Sequence, residues 1–146
     1  MPPLDLQNLK LVKREAFTIA GTLGPVNSGA GFTRIFDVGD DGDFWLTGIG
    51  IQPYYTVTQA FNSDTWSKLR VQDIRSGYDL FYPNVRADYF RVRSAGETVP
   101  LFQPYCFTRT GAIQVTWDVD AVTANVRTNL LYITLYGWKE YQNAAK

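Results

Sequence analysis

Leu130-Leu131-Tyr132-Ile133-Thr134-Leu135-Tyr136-Gly137-Trp138-Lys139 is the stretch on which the fold turns. Leu131, Ile133 and Leu135 alternate with Tyr132, Thr134, Tyr136 and Trp138. That is the two-residue period of a strand with one face in a core. The second face carries aromatic rings with polar handles, a surface that favours contact with another molecule.

The same period recurs upstream. Ala112 to Val119 sets Ile113, Val115 and Trp117 against Gln114, Thr116 and Asp118, which places Trp117 in the core. Ser67 to Ile74 sets Leu69, Val71 and Asp73 against Lys68, Arg70 and Gln72. Phe32 to Val38 and Phe44 to Ile51 flank Asp40-Asp41-Gly42-Asp43 and read as a β-hairpin. Ala16 to Thr22 is a strand ended by Gly24-Pro25 and Asn27-Ser28-Gly29. Pro53 interrupts the pattern before a further strand from Tyr54 to Phe61. Another is expected around Asp88 to Arg93, with a small helical piece near Asn84 to Tyr89 as the alternative. Pro104 makes Leu101 to Thr108 an edge strand or a bulge.

About eight strands separated by turn chemistry predict an all-β antiparallel sandwich or barrel. Its domain is expected to run over 16–146. Residues 1–15, with Leu4, Leu6, Leu9 and Leu11, read as an N-terminal arm, extended or as one short amphipathic helix, that reaches a neighbouring subunit.

The chain has 146 residues, enough for one core without staples. Lys plus Arg and Asp plus Glu are 14 each, so the basic excess of a nucleic-acid binder is missing. Charged residues make up 19% and aromatics 15%, a balance suited to life against other protein. The N-terminus lacks signal-peptide organisation, and no apolar run is long enough to cross a bilayer as a helix. Neither nucleic acid nor membrane is therefore expected as a partner.

There is no histidine and a single cysteine, Cys106. His-dependent triads, Cys-His dyads and Cys-rich metal centres are thereby absent. Carboxylates remain. Glu15, Asp73, Asp88, Glu97, Asp118 and Asp120 offer no pairing legible in sequence, so no catalytic residue and no cofactor is expected. Asp37, Asp40, Asp41 and Asp43 are the one dense acidic cluster, which reads first as a solvated turn. A calcium loop is the second reading, without EF-hand spacing. Arg75, Arg86, Arg91 and Arg93 interleave with Asp73, Asp79 and Asp88, the pattern of a salt-bridged surface rather than an RNA platform. Trp45, Trp66, Trp117 and Trp138 suit core and interface packing, with a sugar platform as the alternative.

Three of these segments carry a resemblance. The tail with its Tyr136-Gly137-Trp138-Lys139 signature resembles the final strand of small jelly-roll structural proteins of tailed-phage virions. Val71-Gln72-Asp73-Ile74-Arg75-Ser76-Gly77-Tyr78-Asp79-Leu80 is similar to their midchain strand and turn. Pro100-Leu101-Phe102 to Gly111-Ala112-Ile113-Gln114-Val115 resembles their paired strands around a polar loop. The resemblance spans about residues 16 to 141. It implies a jelly-roll-like sandwich with no catalytic residues, serving as capsid decoration or cement, or as a neck, collar or tail component. The expected partners are the major capsid protein or neck subunits, and the chain itself as a homo-oligomer. The expected location is the virion, assembled in the host cytoplasm. Leu4, Leu6, Leu9, Leu11, Tyr132, Tyr136 and Trp138 are the expected interface. From the residues alone, a calcium-assisted carbohydrate-binding module for host adhesion is the competing expectation.

Overall fold

The computed structural model describes residues 11–25, 31–55, 60–61, 67–81, 84–94, 96–119 and 130–143. Nine strands lie in these segments: β1 (Leu11–Leu23), β2 (Gly31–Asp37), β3 (Asp43–Tyr55), β4 (Ala60–Phe61), β5 (Ser67–Asp73), β6 (Val85–Arg86), β7 (Val99–Phe107), β8 (Ala112–Val119) and β9 (Leu130–Asn143). The first sheet has the order β1-β9-β3, and the far flank of β3 is shared by β7 at one end and two-residue β4 at the other. The second sheet has the order β2-β8-β5-β6. Strand pairing is antiparallel throughout.

With β4 set aside, consecutive strands fall in opposite sheets, except β5 and β6, which pair. Two four-stranded sheets facing each other in this order form the jelly roll, two interlocked Greek keys. The all-β sandwich expected from the sequence is the fold observed. Between the sheets, Phe44, Leu46, Phe107, Leu131, Ile133 and Leu135 of one meet Phe36, Leu69, Val71, Ile113, Val115 and Trp117 of the other. Each such side chain contributes about 1.5–3 kcal/mol on leaving water, and this offsets the entropy of ordering nine strands.

Several expectations change. β2 and β3 do not form a hairpin, since β2 pairs with β8 while β3 pairs with β9 and β7. The Asp40 to Asp43 turn instead carries the chain across the core, so that Phe36 and Phe44 approach it from opposite sheets. Alternation reports that a strand has a buried face; it does not report the neighbour along its edge. β7 and β8, expected as a pair, are likewise split between the sheets.

Pro53 does not end β3. It stays in register with Leu131, and β7 pairs only as far as Ile49 while β4 begins at Tyr54. A missing N–H on that flank is therefore tolerated. The expected strand at Tyr54 to Phe61 is the end of β3 folded back on β4, with 56–59 outside the described residues. The strand expected around Asp88 to Arg93 is a 3-10 turn, Ala87–Phe90. Three residues per turn bring Ala87 and Phe90 to the same side, and both are buried. Residues 11–15 of the expected arm are strand, paired with residues 139–143 of β9. Leu4, Leu6 and Leu9 lie outside the described residues, as does the side chain of Leu11.

Candidate docking surfaces

β9 lies between β1 and β3, so its outward side chains form the midline of the first sheet's outer face. Tyr132 and Tyr136 are exposed there, as the sequence pattern predicts. Trp138 is half-covered. Its indole stacks on Trp45 of β3, with ring centroids 5.8 Å apart and planes 17° from parallel. The Arg14 guanidinium lies 5.7 Å from the Trp138 ring. Each of these two tryptophans therefore covers one face of the other. Trp117 is fully buried, and Trp66 lies outside the described residues.

The signature around Trp138 has a local explanation. Opposite Thr47 the β3 register shifts, and the Thr47 hydroxyl donates to the Tyr136 carbonyl at 3.1 Å. The shift presses the Trp45 carbonyl against Gly137, where a Cβ would stand only 1.7 Å from the oxygen. Two positions along, Lys139 is buried among apolar groups with its ammonium 4.6 Å from the Phe17 ring. Its counter-charge is Asp41, which accepts a hydrogen bond from Nζ.

That pairing bears on the acidic cluster. Asp41 is engaged by Lys139, and Asp43 accepts the Arg109 backbone N–H at 2.8 Å. Asp37 and Asp40 are exposed. The structure does not bring the four together: among the described residues no three His, Cys, Asp or Glu side chains gather as a metal site. Several basic residues are taken up in ion pairs and loop bonds. Arg86 pairs with Asp88 at 3.1 Å, and Arg70 holds Asp79 through two bonds of 2.7 and 3.0 Å. Arg75 donates to the Arg109 carbonyl at 2.9 Å.

The hydrogen bond from Arg70 lowers the Asp79 pKa below its ordinary 3.8, and the bond from Lys139 lowers that of Asp41. A carboxyl depressed in the folded state adds stability that is complete above its unfolded value and lost as pH falls through the folded one. The urea midpoint is therefore expected to hold above pH 3.8 and to fall below it. Asp79→Asn should weaken that acid dependence, as read from urea titrations at stepped pH. Cys106, on the outer face beside Trp45, has its thiol pushed up to about 11, chiefly by burial, and stays protonated at neutral pH.

Two features go beyond the sequence reading. The first is what the β7 bulge displays, the bulge itself being one of the two expectations raised by Pro104. Tyr105 pairs with Leu46 and Pro100 with Gly48, so Leu101-Phe102-Gln103-Pro104 occupies the space opposite Thr47 alone. The strand bows outward, and Phe102 at its crest stands wholly in solvent, at 101% relative exposure. Together with Tyr78, Phe81 and Leu101, it lines a cavity of about 260 Å³. Tyr78 stacks on Tyr105 at 5.3 Å, and Tyr105 donates to buried Asp73 at 2.7 Å, so the base of the bulge is anchored. Pro104 hinted at the irregularity; nothing in the pattern said which ring it would display.

The second is a groove of about 490 Å³ on the outer face of the first sheet. Ala20, Gly50 and Thr134 are among the small residues lining it, with Tyr132, Thr22 and Val92 around them. Val92 and Gly96 form one wall, held by the Val92 N–H on the Ile51 carbonyl at 3.0 Å and by Gln52 Nε2 on the Arg93 carbonyl at 3.2 Å. Gly50 permits that approach, since a Cβ there would lie 1.9 Å from the Glu97 carbonyl oxygen. Among the described residues that line the groove none is charged. No protein-family model, curated protein or solved structure matches the chain.

Proposed function

We propose that this chain is a non-enzymatic structural protein of a tailed-phage virion, binding the capsid in multiple copies as a decoration or cement protein. The observation that carries the docking role is Phe102, an aromatic ring wholly in solvent on a braced edge-strand bulge. An exposed ring of this size gains by being covered, and aromatic anchors are enriched where protein meets protein. Exposed Tyr132 and Tyr136 add a second contact surface on the sheet face. Zero formal net charge favours association over self-repulsion. The virion assignment is supported by the order of two resembling segments, Val71 to Leu80 and Leu130 to Lys139, and by the jelly-roll topology, which recurs in viral capsid domains. A neck, collar or tail position would use the same surfaces.

The test is the composition of purified particles. Quantitative mass spectrometry is expected to find the chain at a fixed, multi-copy ratio to the major capsid protein. Its absence from washed, infectious virions would reject the reading.

A further inference from the structure

We propose that copies of this chain join head to tail, the Phe102 ring of one copy entering the groove over Ala20, Gly50 and Thr134 of the next. The inference rests on the structural reading above and supplies the contact through which copies would meet.

Knob and hole match in chemistry. The knob is a phenyl ring with no polar atom, exposed in full. The hole, at about 490 Å³, has room for it, and no charged side chain lines it among the described residues. Joining the two strands no buried ion, the usual cost of a mismatched interface. An aromatic side chain leaving water covers roughly 150–250 Å², enough to anchor a contact.

Their placement also matches. In the order β1-β9-β3-β7 the bulge stands on the β7 flank, while Ala20 and Thr22 put the groove's other wall on β1 at the opposite flank. A contact between opposite flanks uses different surfaces on the two partners. It therefore repeats from copy to copy, closing into a ring if the rotation allows and otherwise growing as a filament. Pro100 and Pro104 bracket the bulge and cannot donate to an added strand, so the ring rather than the β7 backbone makes the contact.

Complementation tests this. Wild-type chain is expected to show concentration-dependent association in sedimentation velocity. Phe102→Asp, which removes the knob, and Ala20→Trp, which fills the hole, should each weaken it about 30-fold or more. Thr134→Trp serves if Ala20→Trp does not give a wild-type circular dichroism spectrum. Phe102→Asp keeps its groove and Ala20→Trp keeps its ring, so mixing the two should give a one-to-one heterodimer and nothing larger. Association that survives either substitution, or two variants that fail to rescue each other, would overturn the contact. So would a wild-type chain that stays monomeric at every concentration reached, with maltotriose shifting the NMR signals of groove residues instead. Presence in virions without self-association would reject this contact and leave the structural reading standing.

Discussion

Gly137→Ala is expected to cost about 3 kcal/mol, the upper end of what overpacking usually costs. The new methyl would stand 1.7 Å from the Trp45 carbonyl oxygen and 2.8 Å from its carbon, and both are backbone atoms. A flexible side chain could swing aside; a central strand of a sheet cannot, because β3 is held by β9 and β7 together. Relief requires parting the two strands where the Thr47 hydroxyl clasps the Tyr136 carbonyl, which also disturbs the Trp45–Trp138 stack. At ~2–4 °C per kcal/mol for a chain of this size, the melting temperature should fall by roughly 6–12 °C. Calorimetry measures it directly, and a fall under about 2 °C would mean that the strands part without penalty.

Trp117→Ala is expected to cost ~3–5 kcal/mol. Trp117 is fully buried on β8, between Phe32 of β2 and Leu69 of β5, and faces the core shared by both sheets. Its removal leaves a void that three strands would have to collapse to fill. Trp117→Phe should cost less than half as much, for a reason beyond size. The indole Nε1 is buried without a hydrogen-bond partner among the described residues, and phenylalanine removes that unsatisfied donor with the ring that carries it. Urea unfolding of the two variants separates these contributions, and equal losses would show that the lone N–H costs nothing.

The strands were legible where a local period coincides with a buried face. β5, β8 and β9 each alternate over seven residues or more, and their inward sets, including Trp117, are those found in the core. Pairing was not legible. Partners such as Ala16 and Trp138, or Phe32 and Trp117, lie far apart in the chain, and neither residue's neighbours encode the meeting. The 3-10 turn at Ala87–Phe90 was legible only as a small helical piece near Asn84 to Tyr89 set against a strand, because four residues hold too few periods to separate a three-residue repeat from a two-residue one.

The candidate surfaces divide in the same way. Tyr132 and Tyr136 are outward because β9 alternates, so they could be named in advance. Phe102 is outward because β7 spends four residues where β3 spends one, a fact about register between two strands. The groove depends on Gly50 accepting the Glu97 carbonyl, a contact between β3 and a loop that reaches it only in the folded chain. The burial of Lys139 was not legible either, since it follows from the Asp40 to Asp43 turn delivering Asp41 beside it.

The place of β9 between β1 and β3 also governs the order in which the molecule can be made. A ribosome delivers β1 first and β9 last, yet β1 has no described strand partner except β9. Until residues 130–143 emerge, the first sheet lacks its middle, and the aromatic and aliphatic side chains of β1 and β3 have no finished surface to close against. Most of the chain is thus synthesised before its earliest strand can be placed, and folding of this half waits on the last segment, in the manner of topologies dominated by distant contacts.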